Sequence, residues 1–404
     1  MDKQDYNFED FVFPKFQQDG YDATNRKSTF DYDFWYKGQV MNFDGDSSFV
    51  RAKFLDTALL RGIQFKKVKF IKTIFESNSS FNNCIFLDEA KFGHAIFKKT
   101  ANFSEANFNL LSMANAEFEQ WAYFYKVRFG SVIRFYRTKF REKATFDYST
   151  FNGICEFDNN SEINELRFFS VIINGRVIFK ESNISKLTLE SINKGNDKPL
   201  GPPNLEFERS LLTKNCIISN IDMSNTSFDQ CDISEVDFRR CVWPKNKNNN
   251  RILLNENGKG YRDLEEQYRG LKKNFDSKKD WELSGLAYVS EMDIRRRRLF
   301  KEKHYFNCFI YWFYGFFGRY TQDFKRPLVS LFILIGVFSG MYYFMDFDVL
   351  KAFQRGIKGA LPYLAIDTEN PFKGYWLIAR NIEFLLGGTF LTFFILALRK
   401  RFKQ

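Results

Sequence analysis

Two ionisable residues lie close together in an apolar segment near the end of the chain. Arg380 and Glu383 are three positions apart, so on a helix they would share one face and could form an ion pair. One interpretation is an interfacial salt bridge that fixes the depth of the helix. A second interpretation is that Glu383 faces a pore or a partner subunit, because ionisable groups in membrane spans usually face away from lipid. Gly387 and Gly388 follow, and they predict close helix packing or a bend that acts as a gating hinge.

Basic residues form two clusters that flank the apolar segments. The lipid-headgroup candidates are Arg295, Arg296, Arg297, Arg298, Arg399, Lys400 and Arg401. The first cluster has two interpretations. It is either a solvated helix end, stabilised by the helix dipole, or a contact with anionic lipid headgroups close to a membrane segment.

Catalytic and metal-binding chemistry has little support in the sequence. The two histidines, His94 and His304, have no metal-ligand spacing around them, and no CxxC pair occurs. Five of the six cysteines stand two positions before a large apolar residue, where they would be small buried hydrophobes: Cys84, Cys155, Cys216, Cys231 and Cys241. We therefore expect no enzyme activity, no metal and no cofactor, and a reducing compartment.

The elements that position these residues include two apolar segments. Residues 327–345 carry no charge over 19 residues and would reach about 28 Å as a helix, close to the ~30 Å hydrocarbon core. We assign spans to residues 327–346 and 376–398, with a possible re-entrant segment at 349–371. Basic residues flank both spans on one side, which predicts a multi-pass protein with both termini in the cytoplasm.

Three further segments precede the spans. Aromatic residues are dense over 303–320, which predicts an interfacial helix in a membrane domain of residues 301–404, with a buried soluble helix as the alternative. Apolar residues spaced by three and four predict a helical hairpin over 261–300, with Asp280 as an N-cap. The Asn- and Lys-rich residues 244–260 predict a linker.

The chain between Asn42 and Trp243 repeats a large apolar residue every five or six positions, usually with a small residue two places earlier. A step of five collects these residues on neither a helix face nor one side of a flat strand. All of them can be buried if the chain turns by about a right angle at each repeat and climbs as a β-solenoid. Six-residue steps would require a bulge or a wider corner. Residues 1–41 would cap the open first coil or form a partner-binding arm.

The triplets in this stretch resemble the pentapeptide-repeat family. They include Ala90-Lys91-Phe92, Ala101-Asn102-Phe103 and Ala144-Thr145-Phe146. The resemblance implies a right-handed quadrilateral β-helix; a Phe-rich β-sandwich is the alternative. Some soluble members mimic DNA with a strongly acidic surface. The repeat stretch here is nearly balanced in charge although the chain carries +11 overall, so nucleic-acid mimicry and nucleic-acid partners are not expected.

The C-terminal part resembles two-transmembrane ion channels. The resemblance rests on Glu383-Phe384-Leu385-Leu386-Gly387-Gly388 and on the basic stretch that begins at Arg399, and it implies a homo-oligomeric pore in the bilayer. The potassium filter sequence is absent, and residues 361–367 stand in its place. Potassium selectivity is therefore not implied, and Asp367 or Glu369 could form rings of charge at a less selective pore mouth.

Two functional hypotheses follow from these observations. The first is an oligomeric pore in a bacterial inner membrane with a cytoplasmic pentapeptide-repeat module that senses or binds a partner, with a possible role in stress or antiviral defence. The second is a membrane-anchored scaffold in which the spans only tether the solenoid and a protein partner binds to it.

Overall fold

The computed structural model describes residues 5–13, 42–159, 162–193, 201–244, 254, 256, 260–361 and 374–402, apart from the side chains of Asp346 and Arg401. Asp367 and Glu369, most of the linker 244–260, and much of segment 1–41 lie outside the described residues. The chain forms two compact units, residues 1–257 and 258–404.

The first unit is built from two sheets in which every strand pairing is parallel. The first sheet contains Tyr6–Asn7, Asn42–Ser48, Gln64–Lys69, Ile85–Lys91, Asn107–Ser112, Arg128–Tyr136, Thr150–Phe151, Ile154–Asp158, Ile172–Ile173, Arg176–Lys180, Leu205–Glu208 and Thr226–Asp229. The second contains Val12–Phe13, Lys53–Phe54, Ala58–Leu59, Ile74–Phe75, Ser79–Ser80, Ile96–Phe97, Ala101–Asn102, Glu117–Phe118, Ala122–Tyr123, Lys139–Thr145, Ile163–Phe169, Asn183–Glu190, Leu211–Leu212, Ile217–Ser219 and Asp237–Arg239. A 3-10 turn covers Met223–Asn225.

These strands form a β-solenoid of about nine turns. Most coils are 21 or 22 residues long, as the in-register partners Phe75, Phe97 and Phe118 illustrate. The step from Phe179 to its partner Phe207 is longer, at 28 residues. The core rings stack along the axis: Phe75 and Phe97 are 4.8 Å apart with planes 2° from parallel, and Phe97 and Phe118 are 4.6 Å apart. The predicted β-solenoid is confirmed, and the all-parallel ladder excludes the alternative β-sandwich.

The corners show how five- and six-residue steps alternate. In a five-residue step the amide of Ala106 donates to the carbonyl oxygen of Phe103 at 3.2 Å, and Glu105 between them has φ of 60°. A hydrogen bond over three residues with a left-handed third residue is the pattern of a type II turn. The register shifts where a six-residue step lies beside a five-residue step: the step from Phe86 has six residues, that from Phe108 has five, and the pairing of these strands shifts between Phe108 and Leu110. The predicted bulges are therefore present.

The ladder begins earlier than the sequence pattern indicates. Tyr6–Asn7 pairs with the strand Asn42–Ser48, and Val12–Phe13 pairs with Lys53–Phe54. The ring of Phe13 lies 4.3 Å from that of Phe54, with planes 2° apart. Residues 5–13 therefore cover the first coil by strand pairing and ring stacking, whereas the sequence pattern placed the start of the ladder at Asn42.

The second unit is helical. Its helices are α1 (Tyr261–Ser277), α2 (Trp281–Lys301), α3 (Tyr305–Gly318), α4 (Lys325–Asp346), α5 (Val349–Ala360) and α6 (Tyr375–Phe402), with a one-turn segment at Arg319–Thr321. The first two form the predicted hairpin. Asp280 is the N-cap of α2, because the Asp280 carboxylate accepts a hydrogen bond from the amide of Leu283 at 3.1 Å.

Candidate functional site

Helix α5 packs closely against the long apolar helices α4 and α6 through small residues. A Cβ at Gly356 would overlap the hydroxyl of Ser339 and lie 3.0 Å from the carbonyl oxygen of Ile335, both near the middle of α4. A Cβ at Gly359 would overlap the carboxylate of Glu383 on α6. Ala352 and Ala360 are also buried on this face. Larger side chains would separate the three helices.

Glu383 is completely buried at this three-helix contact. One carboxylate oxygen, Oε2, accepts a hydrogen bond from the hydroxyl of Tyr342 on α4 at 2.8 Å, and Tyr342 is itself fully buried. Within the described part of the chain, the other oxygen of Glu383, Oε1, has no hydrogen-bond partner. An incompletely satisfied buried carboxyl is costly for folding, and such groups are often retained for function.

The two adjacent glycines of α6 have different surroundings. A Cβ at Gly387 would overlap the carbonyl oxygen of Ala360 at the end of α5. At Gly388 a Cβ would meet no atom within 4 Å. Gly387 thus provides the close helix contact. Any hinge at this pair remains a prediction.

Tyr342, Gly356 and Gly359 were not among the sequence-derived candidates. The glycines stand three positions apart on a short helix, a small-residue spacing that suggests close packing. Nothing in the local sequence links Tyr342 to Glu383, because the two residues are 41 positions apart along the chain. Arg380, which the spacing pairs with Glu383, is half-buried on the same helix.

The arginine run lies at the packed face of the α1–α2 hairpin. Arg295 contacts the carboxylates of Glu265 and Glu291 at 2.7 and 3.0 Å, and Arg298 contacts Glu265 at 3.1 Å. Burial alone would lower the pKa of Arg295, but hydrogen bonds to Tyr311 and Glu265 raise it. These two arginines tie α2 to α1, an arrangement that neither the solvated-end nor the headgroup interpretation anticipates.

The remaining basic candidates have other environments. Arg296 lies 3.6 Å from Asp293, and Arg297 is exposed. At the end of α6, Arg399 is exposed, whereas Lys400 is half-buried with its ammonium 5.1 Å from the centre of the Tyr288 ring. The side chain of Arg401 lies outside the described residues.

Two described helices are long and apolar enough to cross a membrane, by length and composition: residues Lys325–Met345 and Tyr375–Lys400. Only 28% and 22% of these two segments are buried within the chain, whereas the core helix of a soluble protein is mostly buried. Large apolar side chains on the outer faces include Phe332, Ile333 and Phe344 on α4, and Phe384, Leu385 and Ile395 on α6. Helix α3 exposes Phe306, Phe309 and Phe316 in the same way.

The solenoid carries an aromatic patch on one outer face, formed by Trp121, Tyr123, Tyr125, Lys143, Thr145, Asp147 and Arg167 among others. A shallow cleft of about 410 Å³ lies over it. Trp121 is 43% exposed, and the ammonium of Lys143 lies 5.7 Å from the centre of its ring. Trp, Tyr and Arg on a rigid sheet are the residue types enriched in protein-binding hot spots.

The inward cysteines of the solenoid are free thiols. Cys84, Cys155, Cys216 and Cys231 are buried, and Cys241 is partly exposed near the last coil. Burial raises the pKa of the Cys84 thiol to about 12, so it remains protonated and unreactive at neutral pH. Within the described residues no group of His, Cys, Asp and Glu is arranged to hold a metal ion.

Comparison with known proteins identifies the repeat. The family model described as "Pentapeptide repeats (9 copies)" matches residues 81–128, and "Pentapeptide repeats (8 copies)" matches residues 214–242. No curated protein and no solved structure matches the chain. Both matched segments belong to coils of the solenoid, in which inward-facing aromatic or aliphatic side chains of neighbouring coils stack on each other. These two segments of the β-solenoid, residues 81–128 and 214–242, therefore consist of pentapeptide repeats.

Proposed function

We propose that this chain forms an oligomeric membrane pore of ion-channel type, with the pentapeptide-repeat solenoid as its cytoplasmic binding or sensing module. The principal support is the position of α5, which folds back after α4 and ends against Gly387 in the middle of α6. A short helix that enters a bilayer halfway must be shielded from lipid, because its end leaves backbone carbonyls unpaired.

The dimensions fit this arrangement. Helix α5 has 12 residues and is about 18 Å long, roughly half of a ~30 Å hydrocarbon core. Its contacts at Gly356 and Gly359 bring it from one end of α4 to the depth of Glu383. Backbone that turns at this depth is tolerated where it is buried in protein or lines water. We therefore place the pore entrance in the connection between α5 and α6, which contains Asp367 and Glu369.

An oligomer follows from the same reasoning, since two spans cannot surround a pore. The exposed apolar faces of α4 and α6 would contact lipid or neighbouring copies, and the aromatic face of α3 would lie in the bilayer interface. We further propose a bacterial inner-membrane location with cytoplasmic termini. A role in stress or antiviral defence would use the pore to permeabilise the membrane when the solenoid binds its trigger.

The test is electrical recording of the purified full-length protein in planar bilayers. We expect discrete conductance steps and a detergent-solubilised complex several times the mass of one chain. The Glu383→Gln variant should alter conductance or gating, whereas Arg399→Gln, at an exposed site, should not. A monomer in detergent, or silence at all voltages and with candidate triggers, would contradict the pore.

A second candidate is a membrane-tethered scaffold, and the aromatic patch around Trp121 favours it. In that case the solenoid recruits a protein partner while the spans only anchor it. Charge reversal at Asp367, Glu369 or Glu383 would then leave membrane conductance and cell physiology unchanged, whereas Trp121→Ala would abolish partner recruitment. Under the pore hypothesis the charge reversals change conductance.

A further inference from the structure

The one-turn segment between α3 and α4 has an unusual backbone. Arg319, Tyr320 and Thr321 all have positive φ, at 43°, 52° and 63°. Three consecutive non-glycine residues in the left-handed region are disfavoured, because each Cβ approaches the backbone carbonyl that follows. Such strain persists where the surrounding structure imposes it, and it occurs frequently at functional sites.

The surrounding helices hold this turn in place. Tyr320 is buried, and its hydroxyl donates a hydrogen bond to the Oδ1 atom of Asp293 on α2 at 3.2 Å. Its ring packs on Gly315 of α3, where a Cβ would come within 2.7 Å of it. The side chain of Gln322 packs on Gly285, where a Cβ would lie 2.8 Å from its Oε1 atom. The strained turn is thus fixed by contacts from two helices.

The turn and the residues that lead into α4 form one wall of a cleft of about 500 Å³, and α2 and the end of α6 form the others. Its lining residues are Trp281, Glu282, Gly285, Leu286, Val289, Arg319, Thr321, Gln322, Phe324, Ala397 and Lys400. Arg319 on the turn and Lys400 near the end of α6 supply positive charge, and Glu282 is the acid among these lining residues. Leu286, Phe324 and Ala397 form an apolar wall. The cleft therefore combines two cations with an apolar surface.

The location of the cleft indicates what would occupy it. It lies where α4 begins and α6 ends, which in the proposed topology is the cytoplasmic boundary of the bilayer. Basic residues between helices at that level attract lipid phosphates. Arg295 and Arg298 are engaged by Glu265, and none of the four residues of the arginine run is among those that line the cleft.

We propose that the cleft binds the headgroup of an anionic phospholipid. Arg319 and Lys400 would contact the phosphate, Thr321 and Gln322 would offer polar contacts to the headgroup, and the lipid chains would pass along Phe324 and Ala397. A bound headgroup would then link the connector helix α2 to both spans. The inference rests on the proposed membrane insertion but not on conduction.

The experiment measures the thermal unfolding of the purified full-length protein in a neutral detergent. Short-chain phosphatidylglycerol is titrated against phosphatidylcholine of the same chain length, and inorganic phosphate is a third arm. We expect phosphatidylglycerol alone to raise the unfolding temperature at low concentration. An equal effect of phosphatidylcholine would overturn the proposal, and so would an equal effect of phosphate, which would identify a free-anion site.

Variants separate the site from general stability. The Lys400→Gln change should weaken the apparent lipid affinity about tenfold, the typical effect of losing one charge-assisted contact. Arg319→Gly should lose the response to lipid while it retains or gains stability without lipid, because glycine accepts a left-handed backbone. Lys273→Gln, at an exposed lysine of α1 that does not line the cleft, should respond as the native protein does. A native lipid response in Arg319→Gly and Lys400→Gln would overturn the proposal.

A separate measurement distinguishes this inference from the proposed function. If the protein inserts into neutral vesicles and conducts but shows no preference for the anionic lipid, the pore stands and the headgroup site fails. If the lipid preference is present without conductance, the headgroup site stands and the pore fails.

Discussion

At the scale of single residues, Glu383 illustrates how a candidate can be found without its hydrogen-bond donor. Its type and its position in an apolar helix were enough to single it out. The spacing suggests Arg380 as its charge partner, and Arg380 does act electrostatically on Glu383, while the hydrogen bond to the carboxylate comes from Tyr342 on α4. Local spacing identifies neighbours on one helix. It cannot identify a contact that depends on how α4, α5 and α6 pack.

The adjacent glycines of α6 provide a matched pair of substitutions. We expect Gly387→Ala to destabilise the helical unit by about 1–3 kcal/mol, because the added methyl group overlaps the carbonyl oxygen of Ala360. Gly388→Ala should be neutral or slightly stabilising, since nothing lies within 4 Å and alanine favours a helix. Thermal unfolding in detergent would measure both.

The comparison has a clear contrary outcome. Equal unfolding temperatures for the two variants would mean that α5 does not pack against α6 at this point. The support for a re-entrant helix would then be lost.

At the scale of elements, the solenoid was largely predictable and the membrane-length region only partly so. The inward positions repeat many times, and residues such as Ala101 and Phe103 define the coil by their size alone. The approximate bounds of α4 and α6 could be predicted from the length of their apolar stretches. The docking of α5 did not, because its buried face consists of glycine and alanine, which carry little hydrophobic signal. The earlier start of the ladder at Tyr6 was also missed, since a short segment supplies no repeat.

Ion pairs between neighbouring coils predict how the solenoid responds to acid. Glu76 lies 2.8 Å from both Lys53 and Lys98, in the coils before and after its own. Hydrogen bonds from Lys53 and then Lys98 lower the pKa of this carboxyl to about 2. A depressed pKa contributes stability above the unfolded-state value and loses it as the pH falls toward the folded-state value. The contribution should therefore disappear between about pH 4.5 and pH 2.

Hydrogen exchange of peptides that cover residues 74–98 would measure this effect in the full-length protein. We expect protection in the native protein to fall across that pH window and the Glu76→Gln variant to show a shallower fall, because glutamine does not titrate. Glu156→Gln, which removes a carboxylate paired with Arg134 at 3.4 Å, controls for the loss of surface charge. A fall of the same steepness in Glu76→Gln would show that the two lysines do not stabilise the coils.

At the scale of the whole molecule, the proposed topology requires that both termini stay on one side of the membrane. Alkaline phosphatase is active only after export, so we expect fusions before Met1 or after Gln404 to be inactive in bacteria. A fusion after Ile366, in the connection between α5 and α6, should be active. An active fusion at either terminus would reverse the assignment or remove one span, and a green fluorescent protein fusion at the same sites would provide the complementary signal.

The regular coil length has a consequence for how such a protein can change over evolution. Because in-register partners in the regular coils, such as Phe75, Phe97 and Phe118, recur every 21 or 22 residues, a duplication of one complete coil adds a coil that pairs with those above and below. Phe179 and Phe207 stack although they are 28 positions apart, so extra residues are compatible with the ladder only where the strands that follow return to register. Each added or deleted coil would therefore change the length of the solenoid by one strand spacing, about 4.8 Å.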